Sequence, residues 1–304
     1  MTTELPFVIH RSSVNAWECD ENGHLNVRYF IGKNYQGLVH LLAEIGLTPR
    51  VLDKHNAQVR LVSQHIRLHR EVLLAVPLTI SGAVVEQRPS RLQLYSEVRH
   101  TKDGSLFTTF SSDIVLVDRQ SQQPITVAYD PVELVAALPT HGEIKSLFAE
   151  EKPALSISAA LDNGYVETGR GTVMTEECDA NGEMETYQYT GRIADAIPTF
   201  MSTMQSDEEF ALRSAGKLGG AVVENRVDYF APLARGNRFI ILSGLRSFTA
   251  KTQRLTHLVF NLDNDCLVLH SQGIAVALDL QTRRAVPFSE DRRARMTKRQ
   301  LRVE

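Results

Sequence analysis

Two stretches of this 304-residue chain, ECDENGHLN at residues 18–26 and ECDANGEME at residues 177–185, write the same Glu-Cys-Asp-x-Asn-Gly turn. At an offset of 159 residues, Glu18, Cys19, Asp20, Asn22 and Gly23 fall on Glu177, Cys178, Asp179, Asn181 and Gly182. Beyond the turn, Leu25 meets Met184, Phe30 meets Tyr189 and Gly32 meets Gly191. Further along, at an offset of 161, residues 65–80 parallel 226–241, and residues 114–125 then parallel 276–286. Three matches in one order, with so little drift, identify two copies of one unit. The copies are expected over residues 1–145 and 155–304, joined by a charged linker, PTHGEIKSLFAEEKPALS, at 139–156.

Each copy predicts the same run of elements. A short strand (residues 7–16 and 171–174) leads into the turn, and a helix follows. Phe30, Ile31, Tyr35, Leu38, Leu42 and Ile45 recur at helical spacing, and Gly46 and Pro49 stop the run. Tyr189, Ile193, Ile197, Phe200 and Met204 repeat the stripe, with Pro198 inside it as an expected kink or early end. Alternating strands and polar turns come next, at 102–104 in one copy and 263–265 in the other. One helix followed by antiparallel hairpins is an α+β pattern, the helix packed on a sheet. Gly32 and Gly191, inside the helices, are read as close packing contacts.

An Asp-x-Asn-Gly turn before a helix has a plain structural role, because Asp and Asn accept backbone N–H bonds and Gly supplies positive φ. Capping needs one such residue. The first copy sets four polar groups, Asp20, Asn22, His24 and Asn26, at alternating positions where a helix offers unpaired N–H groups and its positive dipole end. There a carboxylate can serve as base or nucleophile, and the N–H groups can hold an oxyanion. The second copy keeps Asp179 and Asn181 but replaces His24 by Glu183, Asn26 by Glu185 and Glu71 by Pro232. The chemistry is therefore expected in the first copy, and the second is expected to have kept the fold alone. Glu177, Asp179 and Glu183 crowd as hard-cation ligands do, but descent of the repeat explains them, and no metal is expected.

CDENGHLNVRYFIG resembles the hotdog-fold thioesterases, whose signature is Asp-x-x-Gly-His-x-Asn-Asn followed by Tyr. It is still more similar to the tandem double-hotdog plant acyl-ACP thioesterases, with Asp-x-Asn-x-His at this place and Tyr-Ile-Gly after it. Asp20, Asn22 and His24 match that triplet, and Tyr29–Gly32 reads YFIG. The family's further functional Glu, in an Arg-Glu pair on a strand after the helix, corresponds to Glu71 beside Arg70. The resemblance implies a tandem double hotdog whose two copies pair, with an acyl thioester bound between them. It implies Asp20, Asn22, His24 and Glu71 as catalytic residues, and Asn26, Val27, Arg28 and Asp179 as substrate-binding residues. It also implies hydrolysis without metal or organic cofactor, and further assembly of such chains. Three departures stand out: Val27 replaces the second Asn of the signature, Glu18 stands where many bacterial members have Asp, and the triplet lies in the first repeat. The expected activity is hydrolysis of acyl-CoA, with acyl-ACP as the second carrier. The rival readings are an enoyl-CoA hydratase and a non-catalytic acyl-CoA-binding module. The hydratases use Asp-x-Asn-Pro-x-His, whereas Gly23 occupies the Pro position here and the His comes one residue early.

Composition fits this reading. Hydrophobic residues make up 43% and charged residues 23%, enough for a full core, and a net charge of −3 gives no reason to expect nucleic acid or an anionic membrane as partner. No apolar run nears the roughly 20 residues that span a bilayer, and the N-terminus lacks a signal peptide's pattern. Three cysteines without CxxC spacing suggest a reducing, cytoplasmic setting, with Cys19 and Cys178 as buried small hydrophobes. The basic C-terminal stretch EDRRARMTKRQLRVE, at 290–304, reads as a solvated tail able, like Arg91 and Arg254, to meet phosphates or an acidic carrier.

Overall fold

Asn26 starts the first long helix. Its side-chain oxygen accepts the Arg28 N–H at 2.9 Å, and α1 then runs 18 residues, Val27–Glu44. The computed structural model describes residues 5–127 and 153–302. The chain divides into two compact units, Met1–Leu147 and Phe148–Glu304. In the first, α1 buries Phe30, Ile31, Leu38, Leu41 and Leu42 on one side, the stripe read from the sequence. Gly46, at φ +87°, ends it in the left-handed region that glycine adopts without strain. The sheet follows the order β1 (Phe7–Ser13), β3 (Pro77–Arg88), β4 (Arg91–His100), β5 (Leu106–Asp118), β2 (Ala57–Leu68), each pair antiparallel. A short α2 (Pro49–Lys54) precedes β2. Helix and sheet meet closely: a Cβ on Gly37 would lie 3.0 Å from the Ile9 side chain, and one on Gly82 only 2.8 Å from it.

The second unit repeats the plan. After α3 (Ile157–Asp162), β6 (Val166–Thr172) leads to α4 (Thr186–Ser202) and α5 (Asp207–Ser214). The sheet order is β6, β8 (Arg238–Phe248), β9 (Thr252–Asn261), β10 (Cys266–Asp279), β7 (Leu218–Tyr229), with β11 (Arg284–Val286) added beside β10. Each unit is a hotdog, one long helix against one antiparallel sheet, and the α+β tandem expectation holds.

Three local expectations change. The strand expected at 171–174 runs instead over Val166–Thr172. Its glycines are close-approach sites, since a Cβ on Gly171 would meet the Phe239 ring at 2.8 Å. Pro198 does not end α4, which continues to Ser202. Phe200 and Met201, in the turn after it, are buried and hold that turn. Residues 139–152 of the expected linker lie outside the described residues, while Ser156 already caps α3. The basic C-terminal stretch is not a solvated tail. It forms α6 (Glu290–Arg299), capped by Ser289, with Arg292 and Met296 buried one turn apart and Leu301 buried beyond.

Arg292 is 1% exposed, donates to Glu209 Oε2 at 3.2 Å and Gln253 Oε1 at 3.0 Å, and stacks on Phe288. Replacing Arg292 by Ala leaves the buried Glu209 carboxylate without its ion pair, a change expected to cost about 3–5 kcal/mol. Denaturant unfolding of Arg292→Ala measures it, and an unchanged midpoint contradicts the role assigned to α6.

His257 is buried beside Ser243, whose hydroxyl lies 2.8 Å from Nδ1, and the imidazole of His270 acts on it as well. Burial first, and then the His270 charge, push the His257 pKa down to about 4. The unfolded chain takes up this proton near the ordinary value of about 6.5. This contribution to stability is therefore complete above pH ~6.5 and is lost as pH falls toward ~4. Unfolding measured from pH 7.5 to 5 should show that decline, and His257→Gln should flatten it.

Candidate active site

The turn between β1 and α1 is closed by its own backbone and by Asp20. The Asp20 N–H donates to the His24 carbonyl at 2.9 Å, and the Gly23 N–H to the Asp20 carbonyl at 3.0 Å. Gly23 has φ +78°, so glycine is needed there. Asp20 Oδ1 accepts the backbone N–H groups of Asn22 at 2.9 Å and His24 at 3.3 Å. Its other oxygen, Oδ2, lies 2.9 Å from His24 Nδ1. Burial pushes the Asp20 carboxyl up, but the hydrogen bond and charge of His24 and the two backbone donors outweigh it. The net effect holds the carboxyl below its ordinary value, so it stays ionised near neutrality.

The structure brings Asp20, Asn22, His24 and Glu71 together. Asn22 and His24 are buried. Among the described residues His24 Nε2 has no hydrogen-bond partner, and it faces Glu71 Oε1 at 3.9 Å. Glu71 does not lie in a strand, as expected, but in the connection after β2. His69 and Arg70 both donate to the Phe107 carbonyl, which ends the ladder. The connection then returns to the turn: Leu25 N–H donates to the Val72 carbonyl at 2.8 Å, and His24 pairs with Leu73.

Asn26 caps α1 and so consumes the Arg28 N–H. Among the described residues the N–H of Val27, the first helical residue, is left as the open donor at this helix end. The Arg28 guanidinium lies over the Tyr29 ring at 5.4 Å.

The second turn shows what the sequence change means. Asp179 Oδ1 again accepts two backbone N–H groups, from Asn181 at 2.8 Å and Glu183 at 3.0 Å. Its Oδ2, however, takes the Asn181 side-chain amide at 3.2 Å, where His24 stands in the first turn. Glu185, in place of Asn26, makes no side-chain cap; burial, then the Asp179 charge, raises its pKa. Glu177 is held in a bidentate pair with Arg192, 2.8 Å on each arm, so both of its oxygens already accept from a guanidinium. Cys19 and Cys178 are only partly buried, each thiol directed at a carbonyl four residues back.

Sequence reasoning missed the anchor beneath the site. Glu18, buried, accepts Asn15 N–H and Nδ2 on Oε2 and Lys33 Nζ on Oε1 at 2.8 Å. Lys33 also donates to the Ser13 carbonyl, so this one ion pair ties strand end, turn and helix together. The signal was present in the repeat alignment, where Glu18 and Lys33 fall on Glu177 and Arg192 with opposite charges at a common separation of 15 residues. Replacing Lys33 by Met should leave Glu18 uncompensated and lower stability by about 3–5 kcal/mol. Lys33→Arg, the second repeat's own solution, should restore most of it. Equal midpoints for the Met and Arg variants would contradict the anchor.

The thioesterase-like superfamily matches residues 14–139 and 173–296, most of the chain and both repeats, so the chain belongs to that superfamily. Among solved structures, an acyl-ACP thioesterase from Bacteroides thetaiotaomicron is similar at 14% identity and a TM-score of 0.67, covering 88% of this chain and 96% of its own. The 12:0-ACP thioesterase from Umbellularia californica is similar at 11% identity and a TM-score of 0.64, covering 88% and 93%. No curated protein matches the sequence.

Proposed function

We propose that this superfamily member hydrolyses acyl thioesters at the turn of its first repeat, with coenzyme A as the carrier and the cytoplasm as its setting. The observation that carries the reading is the Asp20 carboxylate, 2.9 Å from the His24 ring, at the open N-terminus of α1. Water attacks the thioester carbonyl, and Asp20 takes its proton as base; in the covalent variant Asp20 itself adds to the carbonyl and water releases the acid. In either route the oxyanion forms at the Val27 N–H and the positive end of the helix, where it is stabilised. Collapse expels the thiolate, which leaves as free thiol after taking the proton held by Asp20 or, in the covalent variant, one from solvent. His24 is oriented through Nδ1 by Asp20 and presents Nε2 toward Glu71. Asn22 holds the turn through its N–H, and Asn26 sets the helix end. The second repeat, with Asp179 closed on Asn181, is assigned no chemistry.

Asp20→Asn keeps an oxygen for the two backbone donors, so the turn should remain folded, while kcat for thiol release should fall by about 10²–10⁴. The assay runs a length series of acyl-CoA substrates and repeats the best acyl group on a carrier protein. Thiol release at the unmodified rate in the folded variant overturns the assignment. Tight acyl-CoA binding by the unmodified chain with no thiol released would favour the binding-module reading instead.

A further inference from the structure

Glu71 sits in a connection that both repeats close with the same backbone bonds. In the first repeat His69 and Arg70 donate their N–H groups to the Phe107 carbonyl at 2.8 Å and 3.3 Å, and Leu25 donates to the Val72 carbonyl at 2.8 Å. At the equivalent places in the second, Phe230 and Ala231 donate to the Val268 carbonyl at 2.9 Å and 3.4 Å, and Met184 to the Leu233 carbonyl at 2.8 Å. The residue between these fixed points differs. The second repeat has Pro232 there, whose ring fixes its own φ, and the first has Glu71, whose φ is free to turn.

The first repeat adds one side-chain bond. His69 Nε2 lies 3.1 Å from the Thr109 hydroxyl on β5. Thr109 belongs to a well-held part of the sheet: it is buried, and the register sets it opposite Glu97, a buried carboxylate that accepts Tyr95 OH at 3.0 Å and Arg99 Nε at 2.7 Å. In the second repeat the residues equivalent to His69 and Thr109 are Phe230 and His270. The Phe230 ring has no polar atom and is 54% exposed, and His270 Nε2 lies 2.9 Å from the Thr256 hydroxyl on the neighbouring strand. The connection therefore closes without a ring–hydroxyl bond at this place. That bond goes with the glutamate, not with the fold.

We infer that His69 and Thr109 are positioning residues for Glu71. Their bond fixes the connection two residues before the carboxylate, the Val72 carbonyl fixes it one residue after, and Glu71 Oε1 is thereby kept 3.9 Å from His24 Nε2. Catalytic geometry is sensitive at this scale, since a displacement of about 1 Å can cost on the order of a hundredfold in rate. This rests on the hydrolytic reading above, so its test carries a readout that does not depend on turnover.

Three variants of the full chain test it. Thr109→Val removes the hydroxyl, His69→Phe installs the second repeat's own residue, and Thr109→Ser keeps the bond. On the best acyl-CoA of the length series, Thr109→Val and His69→Phe should lose about tenfold in kcat with KM within about twofold, and Thr109→Ser should keep most of the rate. In parallel, NMR signals of the His24 ring, recorded without substrate, should move in Thr109→Val and His69→Phe toward those of Glu71→Gln and stay in place in Thr109→Ser. An unchanged kcat in Thr109→Val and His69→Phe, an equal loss in Thr109→Ser, or a His24 ring unmoved in the first two overturns the inference. Failure of both to fold would make the bond structural and overturns it as well. If the unmodified chain cleaves no thioester, the hydrolytic reading fails, and the His24 signals alone decide whether His69 and Thr109 place Glu71.

Discussion

Both halves depend on one small constraint: an aspartate oxygen that accepts two backbone N–H groups and so closes the turn before the long helix. Asp20 does this for Asn22 and His24, and Asp179 for Asn181 and Glu183. The turn fixes where the helix starts, and an ion pair on a buried glutamate beneath each turn, Glu18 with Lys33 and Glu177 with Arg192, locks it to the helix. That much is architecture, shared by both repeats, and it explains why the first aspartate oxygen has the same partners in each. The two turns differ at the second oxygen. In one half it holds an imidazole, in the other a side-chain amide.

This division of labour within one carboxylate gives the motif a structural reason to persist in both repeats, whatever chemistry either carries. A turn that needs Asp for closure keeps Asp whether or not a thioester ever reaches it. The histidine has no such structural duty and is replaced in the second repeat by Glu183. The same logic extends to the connection that carries Glu71. Its backbone bonds recur in the second repeat, while His69, bonded to Thr109, has Phe230 as its counterpart.

The tandem organisation was legible because a two-fold repeat doubles every weak signal: a turn, a helical stripe and a hairpin pattern each recur in order. Asp20, Asn22 and His24 were legible because they are local, four residues from end to end. Glu71 was found only through resemblance and was set in a strand. Its position depends on the Val72 carbonyl returning to Leu25, a long-range bond that no periodicity announces. The C-terminal helix was hidden for another reason. Its charged composition masks a stripe of Phe288, Arg292 and Met296, and an arginine buried by Glu209 and Gln253 reads in sequence as one more solvated cation. Gly169 and Gly171 lie within β6, where they admit Ile241 and Phe239, an approach that the sequence does not announce.

The central claim is that the two equivalent aspartates have parted, one into chemistry and one into structure alone. The rate of thiol release by Asp179→Asn, measured on the best acyl thioester of the unmodified chain, tests this most directly. The substitution keeps the oxygen that closes the second turn. A rate within about twofold of the unmodified chain is predicted, since surface-turn changes of this kind shift energies by roughly 0.5 kcal/mol or less. A loss of several hundredfold in a chain that still folds would show the second turn taking part in the reaction, and would contradict the account.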